Sequence, residues 1–163
     1  MGPDTKAIVD QLGSTLSGIG VAAIDCDLPQ VKDDLSAGAA WFGGEVRLAF
    51  DEDRVVFSSW AGSEPVLVFR EQTLHGPKLI VADCEWTDLV GKVLTSAEFR
   101  RSADELQCAK LTFGDVHQVW LAIGGPGGGH YEVGPGDEIY LGTRPPSGSD
   151  EMQSLDIVKA TAQ

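Results

Sequence analysis

The sequence predicts an α+β protein dominated by antiparallel sheet, with an N-terminal amphipathic helix and two repeats of a strand–turn–strand unit. Residues 111–125 read as a strand, a tight turn and a second strand, and residues 48–62 align with them without a gap. Leu48 then falls on Leu111, Phe50 on Phe113, Val56 on Val119, Phe57 on Trp120 and Gly62 on Gly125. A second echo precedes each copy, residues 23–28 recurring as 81–86 around Cys26 and Cys84. The cysteines lie 58 positions apart and the phenylalanines 63, so a five-residue insertion in the second copy reconciles both matches. Short apolar runs separated by Gly, Asp and Pro along most of the chain add a third indication of sheet. A single domain over 1–163 follows, with internal repeats at 21–70 and 79–144.

Taken in order, residues 4–19 carry Ile8, Val9, Leu12, Leu16 and Ile19 at helical spacing, with Asp4 placed to cap. Gly13 and Gly18 lower the intrinsic propensity, so this helix needs a packed face. Residues 21–24 form a strand matched by 79–82. Residues 29–35 suit a helical turn, whereas 86–94 suit a turn and then a strand. Gly43 and Gly44 mark a break before three strands, 45–50, 54–60 and 65–70, in an antiparallel meander. Val46, Leu48 and Phe50 alternate with Arg47 and Ala49, the period of a sheet with one buried face. The second copy repeats the plan with strands near 92–100, 106–113, 118–123, 131–133 and 138–141, although 96–106 also fits a helix. Residues 124–129 read as a flexible glycine loop and 145–149 as a break. The C-terminal segment 150–162 has Met152, Leu155 and Val158 in helical register and is expected to be a short helix or a docking strand.

Acids outnumber bases 25 to 12, for a net charge of −13. Such a field repels nucleic acids and anionic membrane surfaces and speeds encounter with a basic protein. The N-terminus lacks the pattern of a signal peptide, and no apolar run reaches the roughly 18 residues of a spanning helix. A cytoplasmic protein is therefore expected. Three cysteines, Cys26, Cys84 and Cys108, with no C-x-x-C spacing, suit free thiols in a reducing compartment.

No residue set carries a catalytic signature. The glycines of 124–129 lack a following Gly-Lys-Ser/Thr and lead toward a strand, which argues against a phosphate cradle. His117 and His130 are the candidate bases, with Asp115, Glu132 and Asp137 near them in sequence, but nothing fixes an orienting partner. His117 falls at a hairpin turn and His75 in a loop. Cys26 and Cys84 sit between carboxylates, which disfavour a thiolate. No spacing among cysteines and histidines suits a metal, and no cofactor is expected. Residues 130–141, with Pro135, Gly136 and Asp137 between two apolar runs, resemble the Pro-Gly-Asp turn of cupin-like barrels. That family's metal signature needs a later histidine, and none follows His130, so no metal is carried over.

Trp41, Trp60, Trp86 and Trp120 are the large anchors, most of them core. Either Trp60 or Trp120, if it faced outward, would give an apolar anchor with acidic surroundings, the make-up of an interface hot spot. The acids cluster at turns: Asp33 and Asp34, Asp51 to Asp53, Asp104 and Glu105, Asp137 and Glu138. In size, charge and β-rich architecture, including the turn at 86–92, the chain resembles immunity proteins of bacterial toxin–immunity systems. The resemblance implies a non-enzymatic protein that docks on a basic partner, a toxin in that setting. Asp51, Glu52, Asp53, Trp60, Asp115, Trp120, Asp137 and Glu138 are the expected binding residues. Two alternatives stay open: a small-molecule-binding β-barrel or small lyase or isomerase using His117 or His130, and a structural homodimer.

Overall fold

A computed structural model describes residues 3–23, 28–51, 53–58, 67–70, 78–80, 84–102, 105–127, 130–133, 138–147 and 156–162. The elements run α1 (Pro3–Val9), β1 (Leu16–Ala23), α2 (Leu28–Ser36), β2 (Ala39–Phe42), β3 (Gly44–Phe50), β4 (Asp53–Ser58), β5 (Val68–Arg70) and β6 (Lys78–Ile80). They continue with α3 (Cys84–Thr87), β7 (Leu94–Ser102), β8 (Glu105–Phe113), β9 (His117–Gly127), β10 (His130–Val133), β11 (Glu138–Gly142) and β12 (Asp156–Thr161). Among the described residues these strands make two antiparallel sheets, ordered β6-β1-β3-β4-β5 and β12-β7-β8-β9-β11-β2, with β10 paired to β9 alone. Among the described residues both are open sheets with edge strands.

Alternation decides which side chains meet between the sheets. Leu16, Ile19 and Val21 from β1, Val46, Leu48 and Phe50 from β3, and Val55 and Phe57 from β4 share one buried cluster with residues of the second sheet. Those include Leu94, Phe99, Leu111, Phe113, Leu121, Ile123, Ile139 and Leu141. Phe50 and Phe113 stack at 6.4 Å between ring centroids with 15° between planes. The opposite face of the first sheet is covered as well, since Glu45, Arg47, Val56 and Ser58 are buried. The side at Arg47, expected to face water or a thin cover, is covered and holds a buried ion pair, 2.9 Å from Arg47 Nη2 to Glu45 Oε1.

The two sheets share more than an order of strands. Leu16 opposes Phe50 and Leu94 opposes Phe113, and in each case the register shifts immediately afterwards. At each shift a hydroxyl donates to the carbonyl one residue before the phenylalanine: Ser17 to Ala49 and Thr95 to Thr112, both at 3.1 Å. The approach to each strand repeats too. Gln11 N–H donates to Ile8, Leu12 to Val9 and Ser14 to Gln11, and likewise Leu89 to Trp86, Val90 to Thr87 and Lys92 to Leu89. The two approaches then exchange bonds. Gly13 N–H donates to Leu94 C=O and Gly91 N–H to Leu16 C=O, while Leu16 donates to Lys92 and Leu94 to Ser14, all at 2.8–3.0 Å. Thr15 and Val93 bridge at the centre of this reciprocal crossing.

These pairings differ from the gapless alignment in two places. The β3–β4 turn holds two residues between Phe50 and Asp53, whereas the β8–β9 turn holds three between Phe113 and His117. The extra residue goes with Gly114 at φ +61°, in the manner of a three-residue turn with a glycine in the left-handed region. After the turn, therefore, Val55 and not Val56 corresponds to Val119, and Val56 rather than Phe57 corresponds to Trp120. Before it, Leu16 and Leu94 lie 78 apart but Phe50 and Phe113 only 63, because α2 and β2 intervene between β1 and β3. The cysteine echo does not follow this spacing, and much of it, residues 24–27 and 81–83, lies outside the described residues.

Several element boundaries also shift. The N-terminal helix ends at Val9, and Leu16 and Ile19 belong to a strand, because Gly13 takes φ +88° and turns the chain. Residues 96–102 and 105–106 are strand, and the C-terminal segment docks as β12 on β7. The expected glycine loop is partly strand, since Gly124–Gly127 pair with β10. Val133 and Glu138 both oppose Gly124, so β10 and β11 run in one direction along β9 and are not hairpin partners across the Pro-Gly-Asp segment. Strand β2 is the element the sequence reading did not anticipate.

Gly13 and Gly91, at φ +88° and +94°, have open space where a Cβ would stand. Alanine at either should therefore cost only the left-handed backbone penalty, about 1–2 kcal/mol. Chemical denaturation of Gly13→Ala and Gly91→Ala should give nearly equal losses.

Candidate binding surface

Stacking of Phe50 on Phe113 brings the two hairpin tips that follow them to one end of the molecule. Asp51 in the first tip and Asp115 in the second are exposed, as is Asp53, which opens β4 and accepts a hydrogen bond from the Gln11 amide at 3.0 Å. The reciprocal crossing adds the α3–β7 turn to the same end, because Gly114 N–H donates to Val93 C=O at 2.8 Å. The single Thr95 hydroxyl proton is shared between Thr112 C=O and the nearer Gly114 C=O, at 2.5 Å, which pins the second tip. Among the described residues the large hydrophobic side chains left exposed are Val90 at 43%, Val93 at 37% and Val116 at 78%. All three belong to this turn and this tip. Exposed Asp88 accompanies them in the turn.

The geometry thus collects Asp51, Asp53 and Asp115 and separates the other expected residues from them. Trp120 is on the outer face of the second sheet and only 5% exposed, so it is not the outward-facing anchor the sequence left open. Its ring lies 5.5 Å from the Arg100 guanidinium carbon and 5.6 Å from Lys110 Nζ. Glu138 is half-buried and opposes Gly124, far along β9 from the tip. Glu52, Trp60 and Asp137 lie outside the described residues. The sequence reading missed the three valines. Their available signal was Val116, an aliphatic between Asp115 and His117 in a tight turn, where local structure has no use for it.

No family model, curated protein or solved structure matches this chain.

His117 is half-buried at the first position of β9, paired with Phe113, rather than within the turn itself. His130 begins β10, and His75 lies outside the described residues. Among the described residues no three His, Cys, Asp or Glu side chains converge as metal ligands. No described helix is long and apolar enough to cross a membrane.

Cys108 is fully buried beneath the same outer face, and burial pushes its thiol up to about 12. Tyr140 is likewise pushed up to about 12, chiefly by burial, and its hydroxyl donates to the Arg144 carbonyl at 2.7 Å. Both groups are neutral when protonated, so the unfolded chain loses these protons first as pH rises. The contribution of these two groups to stability should then be constant below about pH 9 and fall between about 9 and 12. Denaturation midpoints across that range check the sign, and Cys108→Ala should flatten the fall.

Proposed function

We propose that this is a non-enzymatic binding protein whose hairpin end docks on a basic protein, a toxin if the immunity-protein resemblance holds. The observation that carries this reading is the grouping of Val90, Val93 and Val116 with Asp51, Asp53, Asp88 and Asp115 at one end. Exposed aliphatic side chains supply short-range energy once water is excluded, and surrounding acids steer a positively charged partner. The net charge of −13 extends that steering beyond the contact itself. Both tips are braced by backbone pairing, so little ordering entropy opposes docking.

The test is capture from lysate of the source, at low and then moderate salt, using the intact chain and two variants. Asp51→Lys/Asp53→Lys/Asp115→Lys should slow association with the captured basic protein by about tenfold or more at low salt. Val116→Asp should shorten the lifetime of the complex. A basic partner retained equally by the parent and both variants would place the contact elsewhere and overturn the proposal.

A further inference from the structure

A second surface lies apart from the hairpin end. The last turn of α2, strands β2 and β11 and residues 144–147 enclose an open concavity of about 410 Å3. This volume falls within the roughly 300–1,000 Å3 of ligand pockets. Asp34 and Arg144 are the charged members of its lining. They do not pair with each other, because each is held by a partner of its own. Asp34 Oδ1 accepts the Gln30 side-chain amide at 2.8 Å, which leaves Oδ2 as an acceptor. Arg144 Nη1 donates to Ala37 C=O at 3.1 Å, and the rest of its guanidinium fork stays open to a ligand.

The backbone places this fork although Arg144 is exposed. Thr143 N–H donates to Gly38 C=O at 2.8 Å, and the Tyr140 hydroxyl donates to Arg144 C=O at 2.7 Å. Gly38 takes φ +111°, and a Cβ there would stand 2.7 Å from Arg144 Nη1, so only glycine lets the guanidinium lie against the end of α2. The helix then sets the gap between the charges. Asp34 precedes Ala37 by three residues, about 4.5 Å of rise, and the guanidinium lies one hydrogen bond beyond Ala37. Opposite charges oriented separately and held apart complement a small molecule that carries both signs close together. An α-amino acid carries them on one carbon. Its ammonium can donate to Asp34 Oδ2 and its carboxylate can accept from the Arg144 fork, which leaves the side chain to Trp41 and Tyr140, register partners with ring centroids 5.1 Å apart. A ligand with a single charge would engage one of the two groups and leave the other to water.

We propose that the concavity between α2, β2, β11 and residues 144–147 binds a free α-amino acid through its ammonium and carboxylate together. This goes beyond the hairpin-end reading and does not rest on it, because none of the residues used there lines the concavity. The test titrates the isotopically labelled full chain with L-leucine, leucinamide and N-acetylleucine, followed by NMR. Saturable shifts of the Trp41 indole N–H and of the backbone amides of Ala37 and Arg144 are expected with leucine. Leucinamide, which lacks the carboxylate, and N-acetylleucine, which lacks the ammonium, should each bind about tenfold or more weakly than leucine. This series is read on the parent chain and needs no variant to fold. Asp34→Asn should weaken leucine and leave N-acetylleucine unchanged. Arg144→Lys, which keeps the charge but loses the fork, should weaken leucine and leave leucinamide unchanged. Absence of saturable shifts with leucine, equal binding of either analogue, or indifference to both variants would overturn the proposal, whatever the outcome at Val116.

Discussion

Phe113→Ala is expected to destabilise the protein by about 3–5 kcal/mol, and Phe50→Ala by a similar amount. Both rings are fully buried, and each closes its own sheet at the point where β1 or β7 begins. Their stacking joins the sheets at the end that carries the hairpin tips. An aromatic pair contributes about 0.5–1.5 kcal/mol beyond its area, so the double variant should lose less than the sum of the singles. Urea denaturation checks this. A lower midpoint at constant slope is the expected form, and strict additivity of the two losses would mean that the rings do not support one another.

The second large effect belongs to Trp86. Its side chain is fully buried, and Nε1 donates to Leu35 C=O at 2.8 Å, tying α3 to the last turn of α2 across 51 residues. Trp86→Ala should cost about 3–5 kcal/mol through the cavity left in the core. Trp86→Phe keeps most of the ring volume but removes the donor, so Leu35 C=O keeps only the Gly38 N–H at 2.9 Å, and the lost bond costs about 0.5–1.5 kcal/mol. Hydrogen exchange separates the two contributions. Trp86→Phe should loosen α2 selectively, while Trp86→Ala should lower protection throughout the core.

Where local pattern and tertiary packing agree, the sequence was readable. The alternation of Val46, Leu48 and Phe50 marks the inward face of β3, and acids placed between apolar runs mark hairpin tips. Leu16 and Ile19 were misread as helix because a spacing of three satisfies a helix and also a strand with a bulge, and the bulge after Leu16 is set by its pairing with Phe50. Trp120 was left open because one additional turn residue reverses every side chain that follows. Strand β2 has only Ala39 to Phe42 with which to announce itself, and its register comes from Tyr140 and its neighbours about a hundred residues later. The valines of the candidate surface were invisible for a related reason. Val93 and Val116 become neighbours only through the Gly114 bond, a contact without local sequence cause.

The reciprocal bonds between residues 13–16 and 91–94 bear on how the chain is made. On the ribosome the first sheet's strands are synthesised before all of the second's except β2, yet the reciprocal bonds at the approach to β1 wait until Gly91 to Leu94 emerge. Strand β2 waits longer still, for β11 about a hundred residues later. The residues made first therefore carry an unfinished seam until β7 emerges and an orphan strand until β11 does. This is the interval in which strand edges invite wrong pairing.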